Sequence, residues 1–228
     1  MRWSVGLVLL VGCHWISPSE HFARLDADSG LGDSEVAPDA DSDADADTDN
    51  TGPWMDVTAG YGHSCGTKMD GNGLCWGNNK SSQSAVPDGN WLAVTAGWEM
   101  TCGLNEKGQA FCWGDNVSAA DMKTDVPADG EYVAVTLGSF HACALKNYGS
   151  ASCWGANSSK QCDLPQEKGW LALDAGSTHT CGLTENGTIL CWGDCSQDRC
   201  NAPTDPGHTA IGGGYWFSCA LDGDGSVI

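Results

Sequence analysis

Histidine and cysteine recur at regular spacing in this chain, and both residue types can bind metal ions. Three histidines, His63, His141 and His179, occupy the same position of a repeated segment. Met100 interrupts the series in the second segment. Equivalent positions of neighbouring repeats are usually too far apart to share one ion. We therefore expect structural hydrogen bonds from these imidazoles, and we predict no metal site.

The thirteen cysteines favour an oxidising, extracytoplasmic location, because so many thiols would be hazardous in a reducing cytosol. Eight of them form four pairs with a ten-residue spacing: Cys65 and Cys75, Cys102 and Cys112, Cys143 and Cys153, and Cys181 and Cys191. A three-residue hairpin loop that ends in glycine would place the two members of each pair opposite each other. Cysteines facing each other on antiparallel strands are close enough to be bridged. The spacing thus predicts four disulfides, one in each hairpin.

The other cysteines are less regular. Cys195 and Cys200 bracket the short loop "CSQDRC" and are predicted to bridge each other. Cys162 occupies the same register as Cys200 without a local mate, so it is either free or, in a misfolded fragment, paired with Cys219. A hairpin partner of Cys219 would be at position 229, beyond Ile228, so we expect a reactive thiol at Cys219.

The last segment, "LDGDGSVI", has two aspartates between glycines, and carboxylates on a tight loop are typical calcium ligands. Gly225, however, falls where the loop glycine of each earlier hairpin stands. A fifth hairpin turn is therefore the simpler interpretation. It leads us to expect a longer reading frame with a further "CWG" immediately after Ile228.

These residues belong to a repeat with spacings of 37, 41, 38 and 38 residues. Its units begin with "WMDVTAGYGHSCG" at Trp54, "WLAVTAGWEMTCG" at Trp91, "YVAVTLGSFHACA" at Tyr132, "WLALDAGSTHTCG" at Trp170 and "HTAIGGGYWFSCA" at His208. The first four units continue through a glycine-containing turn to "CWG". A fixed period of this length indicates a repeat architecture.

Units with the pattern "AG..H.CGL....G...CWG.N" resemble the short form of the regulator of chromosome condensation repeat, which occurs in bacterial secreted proteins and in a propeller-shaped β-lactamase inhibitor. The resemblance extends from Trp54 to the end of the chain. It implies an all-β fold, a β-propeller of short antiparallel blades, with four complete units and part of a fifth. Because such rings usually have seven blades, we expect the open arc to be less stable than a closed ring and to associate through its exposed edges.

The N-terminal "MRWSVGLVLLVGC" has one positive charge and a short apolar run, which is typical of a signal peptide. Leu10 to Cys13 resembles a bacterial lipobox, which predicts a signal peptide at 1–12 and lipidation of Cys13. An ordinary secretory signal with a chance cysteine is the alternative. His14 is not the aspartate that marks inner-membrane retention, so we expect a lipid anchor at the outer membrane, on its periplasmic or cell-surface side.

Residues 13–52 are predicted to form an acidic disordered linker, followed by propeller repeats at 53–228. Asp26 to Gly52 contains ten acidic residues and no Lys or Arg, so self-repulsion should keep it extended. Weak calcium binding by "APDADSDADADTDN" is the alternative role. The formal net charge of −20 opposes binding to nucleic acid.

Positions that stay the same in every unit serve the common framework, so we look for function where the units differ. The loops between "AG" and "H.C" differ most, and they carry the predicted partner-binding residues Tyr61, Trp98, Glu99, Phe140, Tyr215 and Trp216. Exposed aromatic side chains on a rigid scaffold are typical binding anchors. The alternative is that these rings pack between blades.

No nucleophile and base stand out together, and no glycine-rich loop is suited to a phosphate, so we predict neither an enzyme nor a cofactor. The predicted function is a lipid-anchored binding scaffold for a protein or a glycan. Inhibition of a secreted or periplasmic enzyme, such as a β-lactamase or a protease, is the narrower alternative. Guanine-nucleotide exchange is opposed by the signal, the disulfides and the acidity.

Lipidation of Cys13 can be tested by mass spectrometry of the mature protein. We expect the N-terminal peptide to begin with an acylated Cys13, and Cys13→Ser to remove the acyl group and the membrane association. An unmodified N-terminus cut at another residue would contradict the lipobox assignment.

Overall fold

The structure is a computed structural model that describes residues 53–114, 126–128, 130–166 and 169–228. It also describes two short N-terminal strands that pair antiparallel, β1 (Leu10–Val11) and β2 (His14–Trp15). Within these ranges there is no helix with the length and apolar character needed to cross a membrane. Cys13 and the acidic stretch from 16 to 52 lie outside the described residues, so lipidation and calcium binding stay predictions.

Four three-stranded antiparallel sheets follow one another along the chain, one from each complete repeat unit. Their strands are β3 (Trp54–Ala59), β4 (His63–Lys68) and β5 (Gly73–Gly77); β6 (Trp91–Ala96), β7 (Met100–Asn105) and β8 (Ala110–Gly114); β9 (Tyr132–Leu137), β10 (His141–Lys146) and β11 (Ala151–Gly155); and β12 (Trp170–Ala175), β13 (His179–Thr184) and β14 (Ile189–Gly193). The fifth unit supplies β15 (His208–Gly213) and β16 (Ser218–Asp222). The predicted fold, an all-β propeller of four complete units and part of a fifth, is confirmed.

The hairpins have the predicted register. Cys181 lies opposite Cys191, and the cysteines of the other three pairs face each other in the same way. Each loop ends in a glycine with positive φ, between 72° and 86°: Gly71, Gly108, Gly149 and Gly187. All five predicted disulfides are formed, including the one between Cys195 and Cys200.

The predicted fifth hairpin turn is also present. The backbone N–H of Gly225, whose φ is 88°, donates to the carbonyl of Asp222 at 3.0 Å. The side chain of Asp224 accepts the N–H of Ser226 at 2.9 Å. Asp222 thus serves the turn through its backbone carbonyl and Asp224 through its carboxylate, as the hairpin interpretation requires.

One expectation about the cysteines is wrong. Cys219 is disulfide-bonded, so it is not the reactive thiol that we expected. The expectation assigned Cys219 a native partner only in its own hairpin, at position 229, whereas a disulfide can join any two cysteines whose Cα distance and Cβ directions suit the bridge.

Cys162 is the free cysteine of the described residues, and its role is structural. It occupies the position of Ser84 in the first unit. The Ser84 hydroxyl donates to the carbonyl of Asn78 at 2.9 Å, and the Cys162 thiol makes the equivalent contact with Ala156 at 3.3 Å. Burial raises the pKa of Cys162 to about 11, which keeps it as an unreactive thiol at neutral pH.

The loop that follows "CWG" is closed by one residue pair in three different units. In the first unit Asn79 accepts the backbone N–H of Ser84 at 2.9 Å. In the third unit Asn157 accepts the N–H of Cys162 at 2.8 Å. The Cys195–Cys200 disulfide occupies these two positions in the fourth unit. The disulfide therefore closes this loop covalently, whereas the first and third units close it with a hydrogen bond.

The hydrophobic core lies between neighbouring sheets. One cluster joins the second and third units through buried side chains such as Met100, Leu104 and Tyr132. Leu183 and Ile211 belong to a cluster between the fourth and fifth units. Neighbouring sheets thus bury their facing sides against each other.

Polar side chains also connect neighbouring sheets. His63 Nε2 lies 2.8 Å from the hydroxyl of Thr101 in the next unit. Thr101 donates that hydroxyl proton to the carbonyl of Gln83 at 2.7 Å, so His63 must be the donor, with its proton on Nε2. The indole of Trp113 donates to the same carbonyl at 3.1 Å. His63 therefore links the first unit to Thr101 of the second unit. Through the carbonyl of Gln83, the same network includes Trp113.

The third and fourth units repeat this arrangement. His141 Nε2 lies 2.8 Å from Thr180, and both Thr180 and Trp192 donate to the carbonyl of Gln161 at 2.9 Å. Burial lowers the pKa of His141 to about 4, with a smaller contribution from His179, so the ring is neutral at pH 7. The expectation of structural hydrogen bonds from these histidines is confirmed.

At the contact between the second and third units, both members of the histidine–hydroxyl pair are replaced. Met100 stands at the histidine position, and Ala142 stands at the hydroxyl position that faces it; both are buried. An apolar pair thus takes the place of a hydrogen-bonded pair, which avoids a buried polar group without a partner. Between the fourth and fifth units the polar version returns, with His179 Nε2 2.9 Å from Ser218.

This exchange predicts the outcome of a double substitution. Thr101→Ala alone should destabilise the protein by about 1–3 kcal/mol, because it leaves the His63 ring and the Gln83 carbonyl short of a buried partner. Adding His63→Met, which copies the Met100 and Ala142 pair, should recover part of that loss. Urea unfolding of the two variants, with His63→Met alone completing the cycle, measures the coupling; strictly additive effects would contradict the pairing.

Candidate functional site

The loops that differ between units start from glycines at which neighbouring units touch. A Cβ atom on Gly60 would collide with the carbonyl oxygen of Gly97, and one on Gly138 would collide with that of Gly176. A Cβ on Gly97 would lie 3.0 Å from the carbonyl oxygen of Gly138. Glycine is therefore needed for the close approach of the first strands at this end. The loops that follow these turns are brought together as a result.

The structure places the five predicted aromatic residues in one continuous cluster, with Trp98 at its centre. The Trp98 ring stacks on Tyr61 at 4.6 Å between centroids and on Phe140 at 5.7 Å. Tyr215 lies 5.3 Å from Trp98, and Trp216 lies 4.4 Å from Tyr215, edge to face. Four of the five units thus contribute a ring to one surface, which we call the aromatic cluster.

The rings of the aromatic cluster are exposed to different degrees. Tyr61 is 73% exposed, Trp216 55% and Phe140 36%, whereas Trp98 and Tyr215 are half-buried. The alternative in which these rings pack between sheets therefore does not describe Tyr61 or Trp216. Glu99, the sixth predicted residue, is half-buried in the same loop as Trp98.

A cleft of about 370 Å³ lies beneath the aromatic cluster. Tyr61, Trp98 and Tyr215 form its aromatic wall. The other lining residues come from all five units and are small apart from one leucine: Ala59, Gly60, Ala96, Gly97, Leu137, Gly138, Ser139, Ala175, Gly176, Ser177, Gly213 and Gly214. Much of the cleft surface is therefore backbone, with two serine hydroxyls and aromatic rings at the rim.

Arg199 supports the cluster and was not among the predicted residues. Its guanidinium carbon lies 4.4 Å from the Trp216 ring. The guanidinium donates to Asp194 at 2.5 Å and to Thr178 at 3.3 Å. Arg199 stands where the first unit has Gln83, and this departure from the repeat was the sequence signal for it.

Asp174 is the second residue that the sequence reasoning missed. The first three units have Thr58, Thr95 and Thr136 at this position of the inner strand. In the first unit Thr58 accepts the N–H of Ala96 at 3.0 Å and donates to the carbonyl of Val94 at 3.1 Å. A carboxylate at Asp174 instead introduces a charge at a contact that otherwise needs only a hydroxyl.

Asp174 accepts three hydrogen bonds at the contact between the fourth and fifth units. Its donors are the backbone N–H of Gly213, the hydroxyl of Thr136 at 2.9 Å and the N–H of Ala175 at 2.8 Å. Desolvation raises the pKa of Asp174 to about 6, although these hydrogen bonds act in the opposite direction and part of the residue reaches solvent. The ionised form is thus present at neutral pH at a cost to stability.

The described part of the chain contains no group of three His, Cys, Asp or Glu side chains that could hold a metal ion. His63, His141 and His179 each contact a hydroxyl of a different unit. The end of the sheets that carries the aromatic cluster thus offers a ligand aromatic rings, backbone carbonyls and the nearby carboxylate of Asp174.

Three segments of the chain match the regulator of chromosome condensation (RCC1) repeat: residues 91–118, 132–161 and 171–198. No curated protein matches the chain closely enough to count as a relative.

Solved structures share the fold. The receptor kinase CR4 ectodomain of Physcomitrella patens is 25% identical, with a TM-score of 0.63, and the match covers 76% of this chain and 49% of that one. The CRINKLY WD40 ectodomain of the Arabidopsis thaliana receptor kinase ACR4 is 26% identical, with a TM-score of 0.63 and coverage of 77% and 64%. Prp20p of Saccharomyces cerevisiae is 17% identical, with a TM-score of 0.65 and coverage of 76% and 56%. The chain thus matches about half to two thirds of the length of these structures.

The raised pKa of Asp174 predicts how stability depends on pH. Between its ordinary pKa and about 6, the folded carboxyl binds a proton that the unfolded one releases, so ionisation of Asp174 lowers stability as pH rises through this window. Asp174→Thr restores the residue of the other units and keeps an acceptor for Gly213. It should raise the free energy of unfolding by about 1–3 kcal/mol at pH 7, with little gain near pH 4.

Urea unfolding at both pH values measures this difference. Thr136→Ser, which keeps the hydroxyl that donates to Asp174, is the matched control and should leave the pH dependence unchanged. An equal effect of Asp174→Thr at pH 4 and pH 7 would show that the carboxyl is not perturbed.

Proposed function

We propose that this chain, which carries regulator of chromosome condensation repeats in a β-propeller fold, is a protein-binding scaffold that uses the aromatic cluster as its contact surface. The observation that carries the proposal is the convergence of Tyr61, Trp98, Phe140, Tyr215 and Trp216 from four units. Their separation along the chain exceeds 150 residues, so an ordered propeller is needed to bring them together.

The chemistry of the aromatic cluster is that of a binding surface. Large rings that remain exposed on a rigid support lose little conformational freedom on binding and bury much apolar area. More than half of the surface of Tyr61 and of Trp216 is exposed and therefore accessible to a partner. Trp98 is held from several sides by other rings, so it acts as a fixed centre for the more exposed ones.

The similar structures support a role in recognition. Prp20p is described by its binding to Gsp1p and histones, which shows that a propeller of this fold can serve protein recognition. The two receptor-kinase similarities are to ectodomains, the extracellular parts of their proteins. A location outside the cytoplasm agrees with the disulfide-rich units of the present chain.

The proposed setting is the bacterial outer membrane, on its periplasmic or cell-surface side. Lipidation of Cys13 would anchor the chain, and the acidic segment to residue 52 would hold the propeller at a distance from the bilayer. The proposal is supported by the lipobox-like sequence, by the charge of the segment and by the five disulfides, which require an oxidising compartment. Inhibition of a periplasmic or secreted hydrolase would be one form of such binding.

The proposal can be tested by affinity capture with three immobilised variants. Proteins from the cell envelope and growth medium that bind the wild type should be lost, with affinity reduced about tenfold or more, on Tyr61→Ala or Trp216→Ala. Both residues are largely exposed, so neither change should disturb the core.

Tyr148→Ala is the matched control. Tyr148 is 100% exposed and follows β10 at the end opposite to the aromatic cluster. A partner that is retained by the wild type and by Tyr148→Ala, but not by the two cluster variants, supports the proposal. Equal capture by all four proteins would place the binding surface elsewhere.

A further inference from the structure

We propose that the cleft behind Tyr61, Trp98 and Tyr215, with the carboxylate of Asp174 next to its wall, accepts a lysine or arginine side chain of the partner protein. The inference rests on the proposed function and adds the chemistry of the partner: its contact segment is basic. It concerns the cleft beneath the aromatic cluster and the residue by which the fourth unit departs from the first three.

The rim of the cleft has the chemistry that attracts a cation. The face of an aromatic ring carries partial negative charge, so ammonium and guanidinium groups bind over it. Rings of this chain already hold cations elsewhere: Lys68 Nζ lies 5.9 Å from the Trp54 ring and Lys146 Nζ lies 5.7 Å from the Tyr132 ring. The Tyr61 face turned away from Trp98 remains open for the same contact.

The interior of the cleft accepts hydrogen bonds. Its lining includes the hydroxyls of Ser139 and Ser177 and the backbone of the glycine turns, and it includes no charged side chain. A lysine or arginine side chain is a donor only, so hydroxyl and carbonyl oxygens suit it. The small side chains of the lining leave about 370 Å³, which is enough space for one lysine or arginine side chain.

Asp174 supplies the negative charge. Its carboxylate accepts the backbone N–H groups of Ala175 and Gly213, and both of these residues line the cleft. No other inner strand of the complete units has a carboxylate at this position, because threonine stands there. The fourth unit therefore has a charge where the first three units have a hydroxyl, and this charge lies next to the cleft.

The charge distribution around the site favours the same partner. From Pro53 onward the chain has 19 acidic and 8 basic residues. Arg199, the cation that contacts the aromatic cluster, is paired with Asp194 at 2.5 Å. A basic segment is thus attracted to the acidic propeller over a distance, whereas an acidic one is repelled.

Other titratable groups do not account for the state of Asp174. The elements packed against β12 carry Tyr132 on β9, His141 and Lys146 on β10, Tyr148 in the turn after β10, His179 on β13 and His208 on β15. Burial and hydrogen bonds alone set the pKa of Asp174. Burial lowers the pKa of His141 to about 4, so this ring is neutral where Asp174 titrates, and burial lowers the pKa of His179 as well.

The test uses the full chain with its disulfides intact and two fluorescein-labelled peptides of equal length. One peptide alternates glycine with lysine, and in the other norleucine replaces each lysine. Fluorescence anisotropy should show the lysine peptide binding about tenfold more tightly, because only the ammonium gains from the rings and the carboxylate. Asp174→Thr and Tyr61→Ala should each weaken lysine-peptide binding about three- to tenfold, and Tyr148→Ala should not.

The pH dependence separates charge from shape. As pH falls through about 6, the wild type should lose affinity for the lysine peptide because Asp174 becomes protonated while lysine stays charged. Asp174→Thr should show no such loss in this range. Since threonine is the residue of the equivalent contacts, this variant is expected to fold, and near-ultraviolet circular dichroism with disulfide mapping verifies it.

Three results would overturn the inference: equal affinity for the two peptides, unchanged binding by Asp174→Thr, or binding of a neutral oligosaccharide at the same surface without any preference for lysine. If one of these occurs while partner capture still depends on Tyr61 and Trp216, only the cation-binding cleft is refuted. If partner capture is itself independent of the aromatic cluster, the proposed function fails as well.

Discussion

The close contact between glycine backbones at the end of each inner strand is the constraint on which the site depends. Gly60 meets the carbonyl of Gly97, and Gly138 meets that of Gly176, at distances that leave no room for a Cβ atom. Because the strands converge there, the loops that follow them share one surface. The aromatic cluster and the cleft beneath it therefore result from the same backbone contact, although their side chains come from different units.

At the contacts between units, the histidine and the hydroxyl residue that faces it are replaced together and not one at a time. Where a histidine faces a hydroxyl, as in His63 and Thr101, a neutral imidazole donates to a buried oxygen. Where the histidine becomes Met100, its counterpart becomes Ala142, and the interface turns apolar. A buried polar atom without a partner costs more than either matched version. The two positions are thus physically coupled, and a change at one of them is tolerated when the other changes with it.

Asp174 and Arg199 show the opposite behaviour, since each introduces a charge where the other units use a neutral side chain. Arg199 is compensated by Asp194 and the Trp216 ring. Asp174 receives three hydrogen bonds but no cation within the described residues, and desolvation still raises its pKa. Both depart from the repeat beside the aromatic cluster. Sites at which a charge replaces the neutral residue of the repeat are candidates for function, and here two of them adjoin the same surface.

The sequence by itself determined the features that are local: the phase of the repeat, the hairpins and the four hairpin disulfides, because ten residues and a loop glycine suffice to oppose two cysteines. It also paired Cys195 with Cys200 across a short loop. It also indicated which loops carry aromatic residues. Only the tertiary structure decided that Trp98 is the centre of the cluster, that Asp174 is desolvated and accepts a hydrogen bond from the fifth unit, and that Arg199 reaches Trp216. It also corrected the expected free thiol at Cys219. Each of these depends on how neighbouring sheets are placed, and spacing along the chain does not encode the distances between side chains of different units.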